Sequence, residues 1–232
     1  HNGGTTIPVD SDKITWNLNL DLIEKLITKK TKAIIPVHFL GLPIDMDRLS
    51  YIAKKNNLIV IEDCAESHGA TWKNKLTGTF GDMACYSFYA NKIVTSGEGG
   101  MVVTNKKSYA DKIKFLRNLA PSVPRFFHRE AGYNFRMGSL QAALGISQLK
   151  RIKKSINQKT KIASIYNNLL GKISGIQIPS QTSHSKNVYW MYGIVIDKKK
   201  FGISRDGLAR YLKKNGIQTR TFFCPLNMQP FL

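Results

Sequence analysis

Asp63 follows the apolar run Leu58-Ile59-Val60-Ile61, with Glu62 between them and the small residues Cys64 and Ala65 after it. A carboxylate at the carboxyl end of a strand is placed to meet a ligand. The competing role is an N-cap for a following helix, which Asp also performs well. Lys92 closes a second stretch, Tyr86-Ser87-Phe88-Tyr89-Ala90-Asn91-Lys92, and precedes Ser96-Gly97-Glu98-Gly99-Gly100. Apolar and aromatic neighbours desolvate an ammonium, which lowers its pKa and frees the amine for Schiff-base chemistry. The glycines permit close backbone approach to a bound group. Lys92 is one of 26 lysines, so composition alone would make it a surface residue before a turn.

Other residues add to this pair. Ser87, five residues before Lys92, has a hydroxyl suited to a phosphate oxygen, or is an ordinary strand serine. Gly132-Tyr133-Asn134-Phe135-Arg136 offers an amide and a guanidinium in a glycine-bounded loop before a helix, an arrangement that suits anions or simply turns the chain. His38 and His68 stand alone without metal-like spacing and read as packing or capping residues. An Asp after one strand and a Ser then a Lys after another form the constellation a pyridoxal phosphate enzyme needs. The carboxylate keeps the pyridine nitrogen protonated, and the lysine holds the aldehyde and then moves the proton.

The 232 residues carry 35 Lys+Arg against 15 Asp+Glu, a formal charge of +20. Only 9 of the basic residues are Arg, and they are dispersed in short runs such as Lys198-Lys199-Lys200. Readers of nucleic acid lean on Arg and concentrate charge on one face, so the charge is read as a lysine-coated surface. A small anionic ligand such as a sugar diphosphate remains compatible. The 42% hydrophobic content excludes a disordered tail, and no run approaches a membrane span or a signal peptide. Cys64, Cys85 and Cys224 are odd in number and widely spaced, which points to free thiols in a reducing cytoplasm and to no metal site.

Short buried runs alternating with amphipathic stretches must hold these groups. Lys32–Val37, Leu58–Ile61, Met83–Phe88 and Met101–Val103 read as strands, and Asn19–Ile27 and Asp47–Lys55 as helices. Helices between fully apolar strands imply crossovers and a mainly parallel sheet, whose ligands sit at the strands' carboxyl ends. A long helical pattern runs from Ser139 to Leu170. Alternating strands such as Val188–Ile196 and a helix at Arg205–Lys214 follow, which places a domain change near residue 155.

The segments Ile61-Glu-Asp-Cys-Ala-Glu-Ser-His-Gly-Ala70, Gly78-Thr-Phe-Gly-Asp82, Tyr86-Ser-Phe-Tyr-Ala-Asn-Lys92 and Thr95-Ser-Gly-Glu-Gly-Gly-Met-Val-Val-Thr104 together resemble the DegT/DnrJ/EryC1/StrS sugar aminotransferase family. Lys32–Gly41, Gly132–Met137, Gln141–Ala143 and Gly216–Pro225 agree in order and spacing, so the resemblance covers essentially the whole chain. It implies a pyridoxal phosphate-dependent transferase of fold type I. The large domain (1–154) would carry a mainly parallel sheet, and a smaller α+β domain (155–232) would follow, both incomplete here. It also implies a homodimer with active sites shared across the interface. By residue-for-residue match Lys92 is the cofactor's lysine, Asp63 the partner of the pyridine nitrogen and Glu66, where many members have Gln or His, the neighbour of the phenolic oxygen. Ser87 would bind the phosphate, and Asn134 would reach the phosphate in the neighbouring subunit.

The reaction implied moves an amino group from glutamate to C4 of a nucleotide-linked 4-keto-6-deoxy sugar for surface polysaccharide such as O-antigen. The segment around Glu66 and the Thr-Arg-x-Phe-Phe-x-Pro end look most like members acting on GDP-4-keto-6-deoxymannose. UDP- or dTDP-linked keto sugars, or a silent sugar-nucleotide-binding homologue, are the alternatives. Arg220 is a candidate contact for a substrate phosphate or carboxylate. Members that dehydrate sugars carry His in place of Lys92. The family's earlier Gly-Thr phosphate turn has no counterpart before Lys32. The chain is therefore expected to be a fragment that binds the cofactor weakly alone.

Overall fold

The computed structural model describes residues 3–230. Helix α1 (Leu20–Leu26) starts where the Asn19 side chain accepts from the Asp21 amide, and it buries Leu20 and Ile23. Strand β1 (Ala33–Ile34) leads to a tight 3-10 turn at Phe39–Gly41. Helix α2 (Met46–Lys55) is capped by Asp45, which accepts from the Arg48 amide at 3.0 Å. Asp47 lies in its first turn and Lys54 and Lys55 in its last, complementing the helix dipole. Its inner face of Met46, Leu49, Ile52 and Ala53 packs with Leu20, Ile23, Ile34, Val60 and Trp72 into one core.

Strand β2 (Ile59–Asp63) runs parallel to β1, with Ala33 opposite Ile59. Beyond it come the β3 (Thr71–Trp72) and β4 (Lys75–Leu76) hairpin, then β5 (Met83–Ser87) and β6 (Gly100–Val103). The main sheet has the order β1-β2-β5-β6. β2 and β5 are parallel and pair Asp63 with Cys85, while β6 returns antiparallel along β5. Asp63 is thus the last residue of its strand, not the residue after it. It is bracketed on its other side by a parallel bridge to Val37.

Helices α3 (Lys107–Arg117), α4 (Ser139–Lys150) and α5 (Ile152–Leu170) follow. The continuous helical pattern of Ser139–Leu170 is broken at Arg151, whose φ of −100° and ψ of 0° end one helix and open the next. The remaining elements are β7 (Ile176–Gln177), β8 (Ser185–Lys186), β9 (Val195–Ile196), the short α6 (Lys198–Phe201) and α7 (Arg205–Lys214). β8 adds to the β3–β4 hairpin, and β9 pairs with β7.

Val188–Tyr192 is not a strand. Its amides go instead to the 3-10 turn, Val188 to the Gly41 carbonyl at 3.2 Å and Trp190 to that of Leu40 at 3.0 Å. Gly41 is needed there. Its φ is +96°, and a Cβ would meet Val188 Cγ2 at 2.8 Å and the Trp190 amide nitrogen at 3.1 Å. The contact closes a second core of Leu40, Ala70, Ile93, Ile156, Val188 and Trp190, drawn from both sides of residue 155. No helix among the described residues is long and apolar enough to cross a membrane.

Candidate active site

The carboxyl ends of β2 and β5 bring Asp63, Glu66, Ser87 and Lys92 to one edge of the sheet. Asp63 Oδ1 accepts from the Ala65 amide at 3.0 Å, turning the chain after the strand; no helix begins there, so the capping role is absent. The turn delivers Glu66, 8% exposed, with Oε2 accepting from the Leu40 amide at 2.7 Å. Burial raises the Glu66 pKa, against the opposing pulls of the Leu40 amide and the Lys92 charge. Lys92 is half-buried. Desolvation lowers its pKa, and the negative charges of Glu66 and Asp63 offset that in part. The amine is therefore nearer its neutral form than a surface lysine, the state a nucleophile requires.

Ser87, the last residue of β5, accepts from the Tyr89 amide at 3.3 Å, which leaves its hydroxyl hydrogen to donate elsewhere. His68 is 5% exposed, tilted against the rings of Tyr86 and Phe88 with centroids at 5.4 and 5.8 Å. Neither of its ring nitrogens has a hydrogen-bond partner. Burial, reinforced by the Lys92 charge, pushes its pKa down to about 4, so it is neutral at pH 7. Asn134, in an antiparallel bridge with Asn118, and Arg220 are both exposed and stand outside this group. Arg220 is nevertheless two residues from Phe222, whose ring meets Trp16 and Phe39 edge-on.

Beneath the site lies a pair that sequence reasoning passed over. Glu62 is fully buried and saturated. Its Oε1 accepts from the Phe80 and Gly81 amides at 2.8 and 2.6 Å, and its Oε2 from the Gly78 amide at 2.7 Å and from His38 Nε2 at 3.1 Å. The Ile44 amide donates to His38 Nδ1 at 3.2 Å, so that nitrogen carries the lone pair and Nε2 the proton. Burial would raise the Glu62 pKa, but the His38 and backbone hydrogen bonds outweigh it and hold the carboxyl below its ordinary value. Donor atoms of His38, Glu62 and Cys64 lie within 4.8 Å of one another. With both carboxylate oxygens and both imidazole nitrogens engaged, and burial pushing the Cys64 thiol up to about 12, the cluster is a closed hydrogen-bond network. A carboxylate within an apolar strand was the available signal, because a buried charge must be paired.

Trp190 was also missed, since nothing in local spacing connects it with Lys92. Lys92 Nζ sits 4.0 Å from the centroid of its indole.

A mainly parallel sheet with a lysine and a carboxylate at its carboxyl edge, superposing on solved sugar aminotransferases, has the fold of pyridoxal phosphate-dependent transferases of fold type I. The chain belongs to the DegT/DnrJ/EryC1/StrS aminotransferase family, matched over residues 1–232. It is 40% identical to the GDP-perosamine synthase of Escherichia coli O157:H7, an alignment covering 99% of this chain and 62% of the relative. It is 31% identical to the dTDP-3-amino-3,4,6-trideoxy-alpha-D-glucose transaminase of Streptomyces venezuelae, over 96% of this chain and 58% of the relative. Among solved structures, S. venezuelae DesV in complex with a ketimine intermediate superposes with a TM-score of 0.89 and 31% identity, covering 97% of this chain and 59% of DesV. The chain thus spans about three-fifths of the length of the relatives it matches.

Proposed function

We propose that the protein is a pyridoxal phosphate-dependent aminotransferase that moves an amino group from glutamate to the C4 keto carbon of a nucleotide-linked 4-keto-6-deoxy sugar. The observation that carries this reading is the half-buried Lys92 amine, held 4.0 Å from the Trp190 ring centroid, at the sheet edge where β2 ends on Asp63 and the following turn delivers Glu66. The donor set fits the cofactor. Lys92 would take the aldehyde, Asp63 the ring nitrogen, and Ser87, whose hydroxyl hydrogen is uncommitted, the phosphate. When bound, pyridoxal phosphate supplies an electron sink that lets an amino group pass between carbons.

The chain's own groups do the rest. Asp63 carries the negative charge that favours a protonated ring nitrogen. Glu66 Oε2 is engaged by the Leu40 amide, so Oε1 would be the oxygen left to meet a phenolic oxygen, and burial raises the pKa of this carboxyl. Lys92, once free, takes a proton as the neutral amine and returns it as the ammonium. Asn134 would serve the neighbouring subunit. Helix α4 leaves Leu140 and Leu144 exposed on one side and Ile146 and Leu149 on the other, apolar surface that supports a homodimer. Arg220, beside the aromatic wall of Phe222 and Phe223, is the proposed contact for a substrate anion. The favoured product is GDP-perosamine, on the strength of the E. coli relative, with a dTDP-linked sugar the alternative from the Streptomyces one.

Borohydride reduction of the full-length protein with pyridoxal phosphate, followed by peptide mass mapping, tests the reading. The expected result is a phosphopyridoxyl group on Lys92 and amination of a GDP-linked 4-keto sugar ahead of UDP- and dTDP-linked ones. A label absent or scattered over surface lysines would overturn it.

A further inference from the structure

We propose that Trp190 is a positioning residue that serves as the resting platform for the free amine of Lys92, holding it in place whenever the cofactor is not attached. This rests on the reading of Lys92 as the cofactor's anchor. The ammonium lies 4.0 Å from the indole centroid, and the tryptophan is 3% exposed. Its position is over-determined. The indole Nε1–H donates to the Asn91 carbonyl at 2.9 Å, the backbone amide to Leu40 at 3.0 Å, and the carbonyl accepts from Lys159 Nζ at 2.9 Å. Phe223 lies nearly parallel to it, at 11° and 6.4 Å. The Asn91 bond matters most, because it fixes the ring to the backbone of the residue preceding the lysine whose amine it holds.

Transamination frees the lysine in each half-reaction and asks it to carry a proton. A side chain with four rotatable bonds would otherwise wander from the reacting carbon. An aromatic face attracts the ammonium through its quadrupole and attracts the neutral amine far less. The platform therefore stabilises the proton-bearing form at a place where burial opposes charge. Asp63 and Glu66 act on Nζ through space, His68 is neutral under the Lys92 charge, and Lys159 is engaged at the Trp190 carbonyl.

The test is trace acetic anhydride labelling of the full-length protein after cofactor removal, across pH, with Lys92 acylation read by peptide mass. Tryptophan is replaced biosynthetically by progressively fluorinated analogues, which keep the ring's shape and drain its face of electron density. The labelling midpoint of Lys92 is expected to fall stepwise, by about half a unit to one unit in all. Trp190→Phe, which keeps an aromatic face, is expected to fall less than the most fluorinated protein. Trp16 and Trp72 are fluorinated too, but their rings meet Phe222 and His184. Lys75, which lies over Phe80 at 4.5 Å, should not move and serves as the internal control. A Lys92 midpoint unchanged by fluorination would overturn the platform. If borohydride labels Lys92 yet the midpoint is unmoved, the platform alone fails. If borohydride does not label Lys92, the functional reading beneath it fails.

Discussion

Glu62→Gln is the sharpest probe of what holds Asp63 in place. The substitution preserves shape, but one of the two acceptor oxygens becomes an NH2 group. Whichever way the amide sits, two of the four donors now arriving (His38 Nε2 and the amides of Gly78, Phe80 and Gly81) face another donor. Hydrogen bonds to a buried charge contribute about 1.5–3 kcal/mol each, so losing two costs about 3–6 kcal/mol. That is a large share of the about 5–15 kcal/mol by which a domain is stable. Urea unfolding of the full-length protein, at fixed concentration and without cofactor, should show the midpoint falling steeply with little change in slope. The acid limb should change as well. The Glu62 pKa is depressed in the folded state, so its stabilisation is present above the unfolded value and lost as pH falls through the folded one. The Gln variant should lack that loss. A variant within about 1 kcal/mol of the wild type would refute the claim that this network supports the site.

Lys92→Gln should leave no borohydride-fixable cofactor and lower turnover by about a thousand-fold or more, measured with saturating pyridoxal phosphate. Glu66→Gln should make the cofactor-free protein more resistant to urea at neutral pH but not at acid pH. A carboxyl whose folded pKa is raised contributes stability below its unfolded pKa and loses it as pH climbs through the folded one. His68→Phe should flatten the fall in melting temperature between about pH 6.5 and about pH 4. Over that window the unfolded chain takes a proton that the buried imidazole refuses. Gly78→Ala should cost about 1–3 kcal/mol in chemical denaturation, because φ there is +85° and a Cβ would strike the Tyr86 hydroxyl that donates to the Thr77 carbonyl.

The strand-helix alternation of the first hundred residues was legible because each element announces itself locally. The amphipathic pattern of Asp47–Lys55 lies within α2, and β2 is a branched apolar run. Asp63 and Lys92 followed from the rule that ligands gather at carboxyl ends of parallel strands. What failed to show was long-range. Nothing in Val188–Tyr192 says that its amides will seek Leu40 and Gly41 and not a neighbouring strand, and no glycine or proline marks the break at Arg151. Glu62 stood in plain view, but its partners come from two other segments, His38 and the turn at 78–81, which a linear reading does not bring together.

The bond from the Trp190 indole to the Asn91 carbonyl joins residues 99 positions apart. A ribosome adding about 5–20 residues each second leaves Lys92 without its aromatic partner for about 5–20 seconds after the lysine is made. The Val188 and Trp190 amides that lock the turn at Leu40 and Gly41 arrive equally late. The pocket is therefore finished from its C-terminal side, and a nascent chain halted before residue 190 would display a lysine and two carboxylates without the wall that holds them in register.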